Sequence, residues 1–198
     1  MFLRLAFSVS LLLSAGLNTA GAESQTVNVA PGNNGTEPLF VPAHFDASNG
    51  TSVLIYFPNV GPYHSFTQSS FDKPCTPLQD SENVTIGFDS GLTSATEWEL
   101  TITNATIPIY FFSKGPNQCG QGMVGAINAP QNGTGSYDEF YAAAVKLNGT
   151  AITVPDTTPI LTGVGAAATG PPRGLGERSD LQFSVEGFMP LEGYVTSF

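Results

Sequence analysis

The chain has 198 residues and a formal charge of −10, with only six Lys and Arg residues. A protein so poor in basic residues lacks the patch needed to bind nucleic acid or an anionic membrane surface. Charged residues make up 11% of the chain, whereas Gly (22) and Pro (15) are frequent, which is typical of a β-rich protein with many loops.

The first 22 residues have the pattern of a secretory signal peptide. Arg4 provides a positive charge, an apolar run follows, and Ala20-Gly21-Ala22 forms a small-residue cleavage site. No later run approaches the roughly 20 apolar residues that span a bilayer, and charges interrupt the C-terminal end where a lipid-anchor signal would be apolar. We therefore expect a freely secreted protein, without a transmembrane segment, that begins near Glu23.

Asn-x-Ser/Thr sequons agree with a secretory route, and we expect most of them to lie on loops and carry glycans. The six asparagines are Asn34, Asn49, Asn83, Asn104, Asn132 and Asn148. The chain also has two cysteines, Cys75 and Cys119. In an oxidising compartment an isolated pair most simply forms one disulfide, and chain entropy over a loop of about 44 residues predicts roughly 3–4 kcal/mol of stabilisation.

Short strand patterns follow one another through the first half of the chain. They cover 25–29, 39–41, 52–57 and 64–70. The strongest is Ser52–Phe57, a β-branched and aromatic run of the type found in buried strands. A polar, Pro-containing excursion that includes Cys75 then extends over 72–84.

The strand series continues in the second half. Residues 98–103 alternate with Trp98, Leu100 and Ile102 on the apolar side, which predicts a half-buried strand. The aromatic run 107–112 predicts a buried strand, and 123–127 completes the series after a loop that carries Cys119. Short strands at regular spacing predict a sandwich or a barrel.

One helix and a tail follow the strands. The segment 137–147 has a helical pattern, with Ser136 as N-cap and Glu139 at the capping-box position. Residues 150–176 are rich in Gly, Ala, Thr and Pro without a clear period, and we expect a flexible tail, whereas the scattered aromatic residues of 181–198 leave a docked strand open there. The predicted organisation is a signal peptide over 1–22, one domain over 23–147 and a tail over 148–198.

Three motifs in order resemble fungal extracellular cupredoxin-domain proteins, also described as blue-copper-like or extracellular serine-rich proteins. The motifs are His64–Leu78, Gly87–Gly91, and Pro108–Lys114 followed by Cys119–Asn128, within a match over about residues 25–147. The resemblance implies an all-β, Greek-key β-sandwich related to plastocyanins and phytocyanins, with one short C-terminal helix.

The resemblance also implies where copper ligands would lie. In copper-binding members, the ligands are a His in the first motif and then a Cys, a His and a Met on a loop near the end of the domain. His64 and Met123 match the first and last of these positions, whereas Ser113 and Gln118 stand where the family has Cys and the second His. Neither a hydroxyl nor an amide replaces thiolate or imidazole for copper, so the resemblance implies a degenerate site without type 1 copper and without a cofactor.

Alternatives remain open at this point. A buried His64 is expected to be a hydrogen-bonded structural residue and Met123 a core residue, but both could still bind copper weakly with one more donor. Cys119 could be the thiolate if it were unpaired, and His44 could join His64 in a two-histidine site. A cell-wall polysaccharide could instead bind exposed aromatic residues. The candidates are Tyr56, Tyr63, Tyr110 and Trp98, of which Trp98 fits the core better.

The sequence thus predicts a secreted, glycosylated β-sandwich that is not an enzyme. We expect a structural or binding module of the fungal cell surface or matrix, with a polysaccharide or surface proteins as partners. No other cluster of residues in the sequence has the spacing of a catalytic or phosphate-binding motif.

Overall fold

A computed structural model describes residues 23–31, 38–59, 63–147, 156 and 159–174. The predicted signal peptide and two sequons, Asn34 and Asn148, lie outside these residues. The described elements, in chain order, are β1 (Ser24–Pro31), β2 (Pro38–Val41), β3 (His44–Phe45), β4 (Ser52–Phe57), β5 (Thr67–Ser69), β6 (Thr96–Ile102), β7 (Ile109–Phe112), a 3-10 turn (Cys119–Gln121), β8 (Val124–Ile127), α1 (Tyr137–Lys146), β9 (Ala166–Ala168) and β10 (Arg173–Gly174).

The strands form two sheets. One has the order β10-β6-β4-β1-β2, with β9 also paired to β6, and the other has the order β3-β8-β7-β5. The β1–β4 and β3–β8 pairs are parallel, whereas the remaining pairs are antiparallel. The prediction of an all-β sandwich with one short helix is confirmed.

An aromatic core lies between the sheets. The rings of Phe66 and Phe111 stack with centroids 4.1 Å apart, and Phe40 packs edge-on against both. Trp98 and Phe88 extend this cluster, with ring centroids 6.0 Å apart. The period-two alternation of β4 and β6 places their apolar side chains in this core, which is why the sequence pattern predicts both strands correctly.

A second apolar cluster lies under the helix. All four side chains of β7 are buried, because Ile109 and Phe111 belong to the main core while Tyr110 and Phe112 pack with Phe140 of α1. The Cys75–Cys119 disulfide belongs to the same second cluster, and its Cα atoms are 5.6 Å apart. The predicted disulfide is therefore confirmed.

The helix begins where the capping pattern predicts. The hydroxyl of Ser136 accepts a hydrogen bond from the backbone N–H of Glu139 at 3.4 Å. Its buried residues, Phe140 and Ala144, are four apart and so share one face. None of the described helices has the length and apolar character needed to cross a membrane.

The prediction of a flexible tail is wrong for residues 159–174, here called the C-terminal strap. Within it, β9 and β10 both pair antiparallel with β6, at Leu100–Ile102 and at Thr96–Glu97. The strap thus covers the edge of β6 that is not paired with β4. An Ala- and Gly-rich sequence has no periodicity of its own, but its backbone groups complete an existing strand edge.

The strap is also bound to the other sheet. The side-chain amide of Gln68, in β5, donates to the carbonyl of Val164 at 2.7 Å and accepts from its N–H at 3.0 Å. Asp89 and Ile160 exchange two backbone hydrogen bonds of 2.8 and 2.9 Å. The strap therefore joins the two sheets along one open side of the sandwich.

Candidate functional site

The loop between β7 and β8, residues 113–123 and here called the late loop, holds three of the four predicted ligand positions. Ser113 follows β7 directly, and its N–H donates to the carbonyl of Met123 at 3.1 Å. The N–H of Met123 donates in turn to the carbonyl of Gln118 at 2.9 Å, and that of Gln118 to the carbonyl of Gly115 at 3.1 Å. These backbone bonds close the loop on itself and fix the direction of the Gln118 side chain.

The side-chain amide of Gln118 is the centre of this site. Its Oε1 accepts a hydrogen bond from Ser113 Oγ at 2.6 Å and lies 3.0 Å from Nδ1 of His64. Its Nε2 donates to the carbonyl of Tyr63 at 3.1 Å. Ser113 Oγ also accepts from the N–H of Ser65 at 2.9 Å, so the side chains of Ser113 and Gln118 both have hydrogen-bond partners in this buried arrangement.

These bonds determine the tautomer of His64. Because an amide oxygen only accepts, the ring must carry its proton on Nδ1 to bond Gln118. The His64 side chain is buried, and this burial lowers its pKa from 6.5, while the hydrogen bond to Gln118 opposes part of that effect. His64 is therefore the hydrogen-bonded structural histidine that the sequence favours.

Gly115 makes room for the amide. A Cβ atom at Gly115 would collide with the terminal atoms of Gln118. A side chain at position 115 would therefore displace the Gln118 amide from its hydrogen bonds.

The remaining late-loop residues have structural positions. Met123 is fully buried and belongs to the main core. Cys119 is bonded to Cys75, which excludes the alternative in which it serves as a free thiolate. His44 stacks on Tyr137, with ring centroids 4.6 Å apart, whereas His64 bonds Gln118, so nothing in their contacts supports a shared metal site.

A buried ion pair that begins in this loop is not predicted from the sequence. The Lys114 side chain is fully buried, and its Nζ lies 2.7 Å from Oδ2 of Asp89 and 3.0 Å from Oδ1 of Asp156. Oδ1 of Asp89 accepts from Thr67 Oγ1 at 3.0 Å and from the N–H of Gly91 at 2.9 Å. A lysine beside a glycine-rich turn gives no local signal of burial, because its carboxylate partners are distant in sequence.

The aromatic residues proposed as polysaccharide contacts differ in how far the structure exposes them. Trp98 is buried in the core as expected, but the expectation that Tyr110 is exposed is wrong, because its ring packs under α1 and its hydroxyl donates to the carbonyl of Gly135 at 2.6 Å. Tyr63 is 63% exposed, and Tyr56 is partly exposed on β4.

The described sequons lie on loops. Asn49, Asn83 and Asn132 are exposed, and Asn104 is partly buried. Whether these positions carry glycans stays a prediction.

The donors at this site do not fit a type 1 copper ion. Such a centre needs a thiolate and two imidazoles, whereas the side chains gathered here are one imidazole, one hydroxyl and one amide. Within the described residues, no group of three or more His, Cys, Asp and Glu side chains is placed to hold a metal ion.

Two curated fungal proteins are similar to this chain, although no protein-family model matches it. The chain is 30% identical over 130 residues to the probable GPI-anchored cupredoxin-1 of Arthroderma benhamiae, covering 66% of this chain and 65% of that protein. It is 29% identical over 133 residues to an extracellular serine-rich protein of the same fungus, covering 64% of this chain and 48% of the relative. The chain therefore spans less than two thirds of each relative.

The chain is thus similar to two extracellular proteins of one fungus, the first of which is named a cupredoxin. One relative is named as GPI-anchored and the other as extracellular, and this protein is likewise extracellular or associated with the cell wall. Among solved structures, the native pseudoazurin of Hyphomicrobium denitrificans is 17% identical over 52% of this chain and 73% of its own, with a TM-score of 0.35. A pseudoazurin from Sinorhizobium is 19% identical over 53% of this chain and 72% of its own, with a TM-score of 0.31.

Proposed function

We propose that this extracellular cupredoxin relative forms no type 1 copper centre and acts as a structural or binding module of the fungal surface. The observation that carries the proposal is the position of Gln118 Oε1, which accepts from Ser113 and from His64 Nδ1. The ring nitrogen that faces the Ser113 and Gln118 positions is thus occupied by an internal hydrogen bond.

Electron transfer by a blue-copper mechanism has no support in these side chains. A serine hydroxyl stays protonated at neutral pH, and a neutral amide is a poor donor to a borderline metal. The contacts of the loop instead connect it to the neighbouring residues Tyr63 and Ser65, which is a stabilising role.

The test is a titration of the purified protein with Cu(II), followed by visible absorption and by thermal unfolding. We expect no intense thiolate-to-copper band and no copper-dependent increase of the melting temperature. A band, or a large increase of the melting temperature, would overturn the proposal.

A designed variant provides the positive control. The double substitution Ser113→Cys and Gln118→His supplies the missing thiolate and imidazole at the positions that the resemblance assigns to them. We expect this variant to titrate one free thiol and to gain the absorption band with Cu(II). A folded variant that has the free thiol but no band would show that the ligand positions are assigned wrongly.

A further inference from the structure

A cavity of about 340 Å³ lies between the outer face of β4–β6 and the end of the C-terminal strap. Its lining includes Leu54 and Glu99, which are cross-strand partners, and Glu97, which pairs with Arg173 of β10. Pro171 lies on the strap side. The volume falls within the range of about 300–1,000 Å³ that is usual for small-ligand sites.

The cavity is formed by fixed elements. The indole N–H of Trp98 donates to the carbonyl of Gly170 at 2.8 Å, and the N–H of Thr169 donates to the carbonyl of Glu99 at 3.3 Å. Because Trp98 points into the core, the alternation of β6 directs Glu97 and Glu99 to the opposite face, into the cavity. Strap and sheet therefore hold the cavity open before any ligand arrives.

The chemistry of the lining selects among ligand classes. Two carboxylates are strong acceptors, the guanidinium of Arg173 is a donor, and Leu54 and Pro171 provide apolar surface. An anionic ligand would face two carboxylates and a chain with a formal charge of −10, so it is disfavoured. A pyranose has an apolar C–H face and hydroxyl groups around its edge, and it matches this combination.

The partly exposed ring of Tyr56 adds a further contact. Tyr56 is the cross-strand partner of Glu97 and lies on the same outer face of β4 as Leu54. A second sugar unit of a chain bound in the cavity would meet this ring, and aromatic rings pack well against apolar C–H surface.

We infer that this cavity binds a neutral pyranose unit of a cell-wall polysaccharide, with Glu97, Glu99 and Arg173 bonding its hydroxyl groups. The inference rests on the proposed function, because it assigns a ligand class to the binding module.

The experiment is calorimetric titration of the full mature protein with β-glucan oligosaccharides and, separately, with chitin oligosaccharides. We expect saturable binding of at least one of them. The Glu97→Gln and Arg173→Ala variants should each weaken it at least about tenfold, since each removes a charged hydrogen-bonding partner. The matched controls are Glu82→Gln and Lys73→Ala, at exposed positions outside the cavity, and both should bind like the wild type.

Several outcomes would overturn the inference. These are no saturable binding of either oligosaccharide, equal weakening in the cavity and control variants, and full binding by cavity variants that unfold at the wild-type temperature. Binding of cationic glucosamine oligomers alone would show that the carboxylates hold an amine instead. The copper titration above is independent of these results, so failure of this site and failure of the copper-free proposal can be told apart.

Discussion

At Gln118, one neutral side chain bonds three neighbouring polar groups. Its Oε1 accepts from Ser113 and faces His64 Nδ1, and its Nε2 donates to the carbonyl of Tyr63. An unsatisfied buried polar group costs about 1–3 kcal/mol, so this residue should contribute more to stability than its size suggests. The decrease in the free energy of unfolding when Gln118 is replaced measures this contribution.

Replacing Gln118 with leucine should therefore destabilise the protein. The variant has a similar volume but leaves the Ser113 hydroxyl, the His64 ring and the Tyr63 carbonyl without their partner. We expect a loss of about 2–4 kcal/mol in the free energy of unfolding, measured with chemical denaturant. The control is Gln121→Leu, at an exposed position in the same 3-10 turn, which should change stability little. Equal effects of the two substitutions would contradict the role of Gln118.

The lowered pKa of His64 makes stability depend on pH in a defined direction. Folding keeps this ring neutral, whereas the unfolded chain takes up a proton below about pH 6.5. The stability that the neutral ring contributes is complete above that pH and is lost as the pH falls towards the lowered folded value. We expect a His64→Asn variant, whose amide nitrogen can replace Nδ1 as donor, to lack this part of the acid dependence.

The measurement is the free energy of unfolding of both proteins across mildly acidic pH, together with an NMR titration of the His64 ring. The ring should titrate with a midpoint below 6.5. A midpoint at or above that value, or the same acid dependence in both proteins, would show that burial does not control this group.

At the scale of elements, local patterns in the sequence predict some parts of the fold well. The strand Ser52–Phe57 has the predicted bounds, because its composition and its burial on alternate positions agree. The N-cap at Ser136 is also where the sequence predicts it, since capping depends on residues within one turn. Such features need no knowledge of distant parts of the chain.

Other elements depend on contacts that no local pattern contains. The strap has no apolar period, and its strands exist because β6 has an edge to pair with. Likewise, the motifs place His64, Ser113 and Gln118 in one site, but they do not reveal that the amide oxygen bonds both neighbours. The ion pair of Lys114 cannot be predicted from local sequence either, because Asp89 is 25 positions away.

A substitution at Gln68 tests how strongly this side chain holds the strap against the sandwich. This buried side chain bonds both backbone groups of Val164, and its Oε1 also accepts from the N–H of Phe88 at 3.4 Å. We expect Gln68→Leu to lower the free energy of unfolding by about 2–4 kcal/mol and to speed proteolytic cleavage within residues 159–174. The exposed Gln79→Leu serves as the control. Unchanged cleavage in a destabilised Gln68→Leu protein would show that other contacts hold the strap.

At the scale of the whole molecule, the sandwich is closed by polar contacts as well as by its aromatic core. Lys114 belongs to the late loop, Asp89 to the turn before β6, and Asp156 to the chain that leads into the strap. One ammonium group therefore joins three regions that are far apart in sequence. Because Asp89 also exchanges backbone hydrogen bonds with Ile160, the same residue is bonded to both the late loop and the strap.

Removing the charge of Lys114 should destabilise the whole sandwich. Lys114→Met keeps the apolar stem but leaves the carboxylate of Asp89 buried without its cation, which costs about 3–5 kcal/mol. The comparison is Lys73→Met, at an exposed position, which should change the free energy of unfolding by less than about 0.5 kcal/mol. Adding Asp89→Asn to Lys114→Met should recover part of the loss, because the amide oxygen can still accept from Thr67 and Gly91 while no charge stays buried. If the double variant were less stable than Lys114→Met by the full effect of Asp89→Asn alone, the two residues would not be coupled, and the ion pair would not be what closes the sandwich.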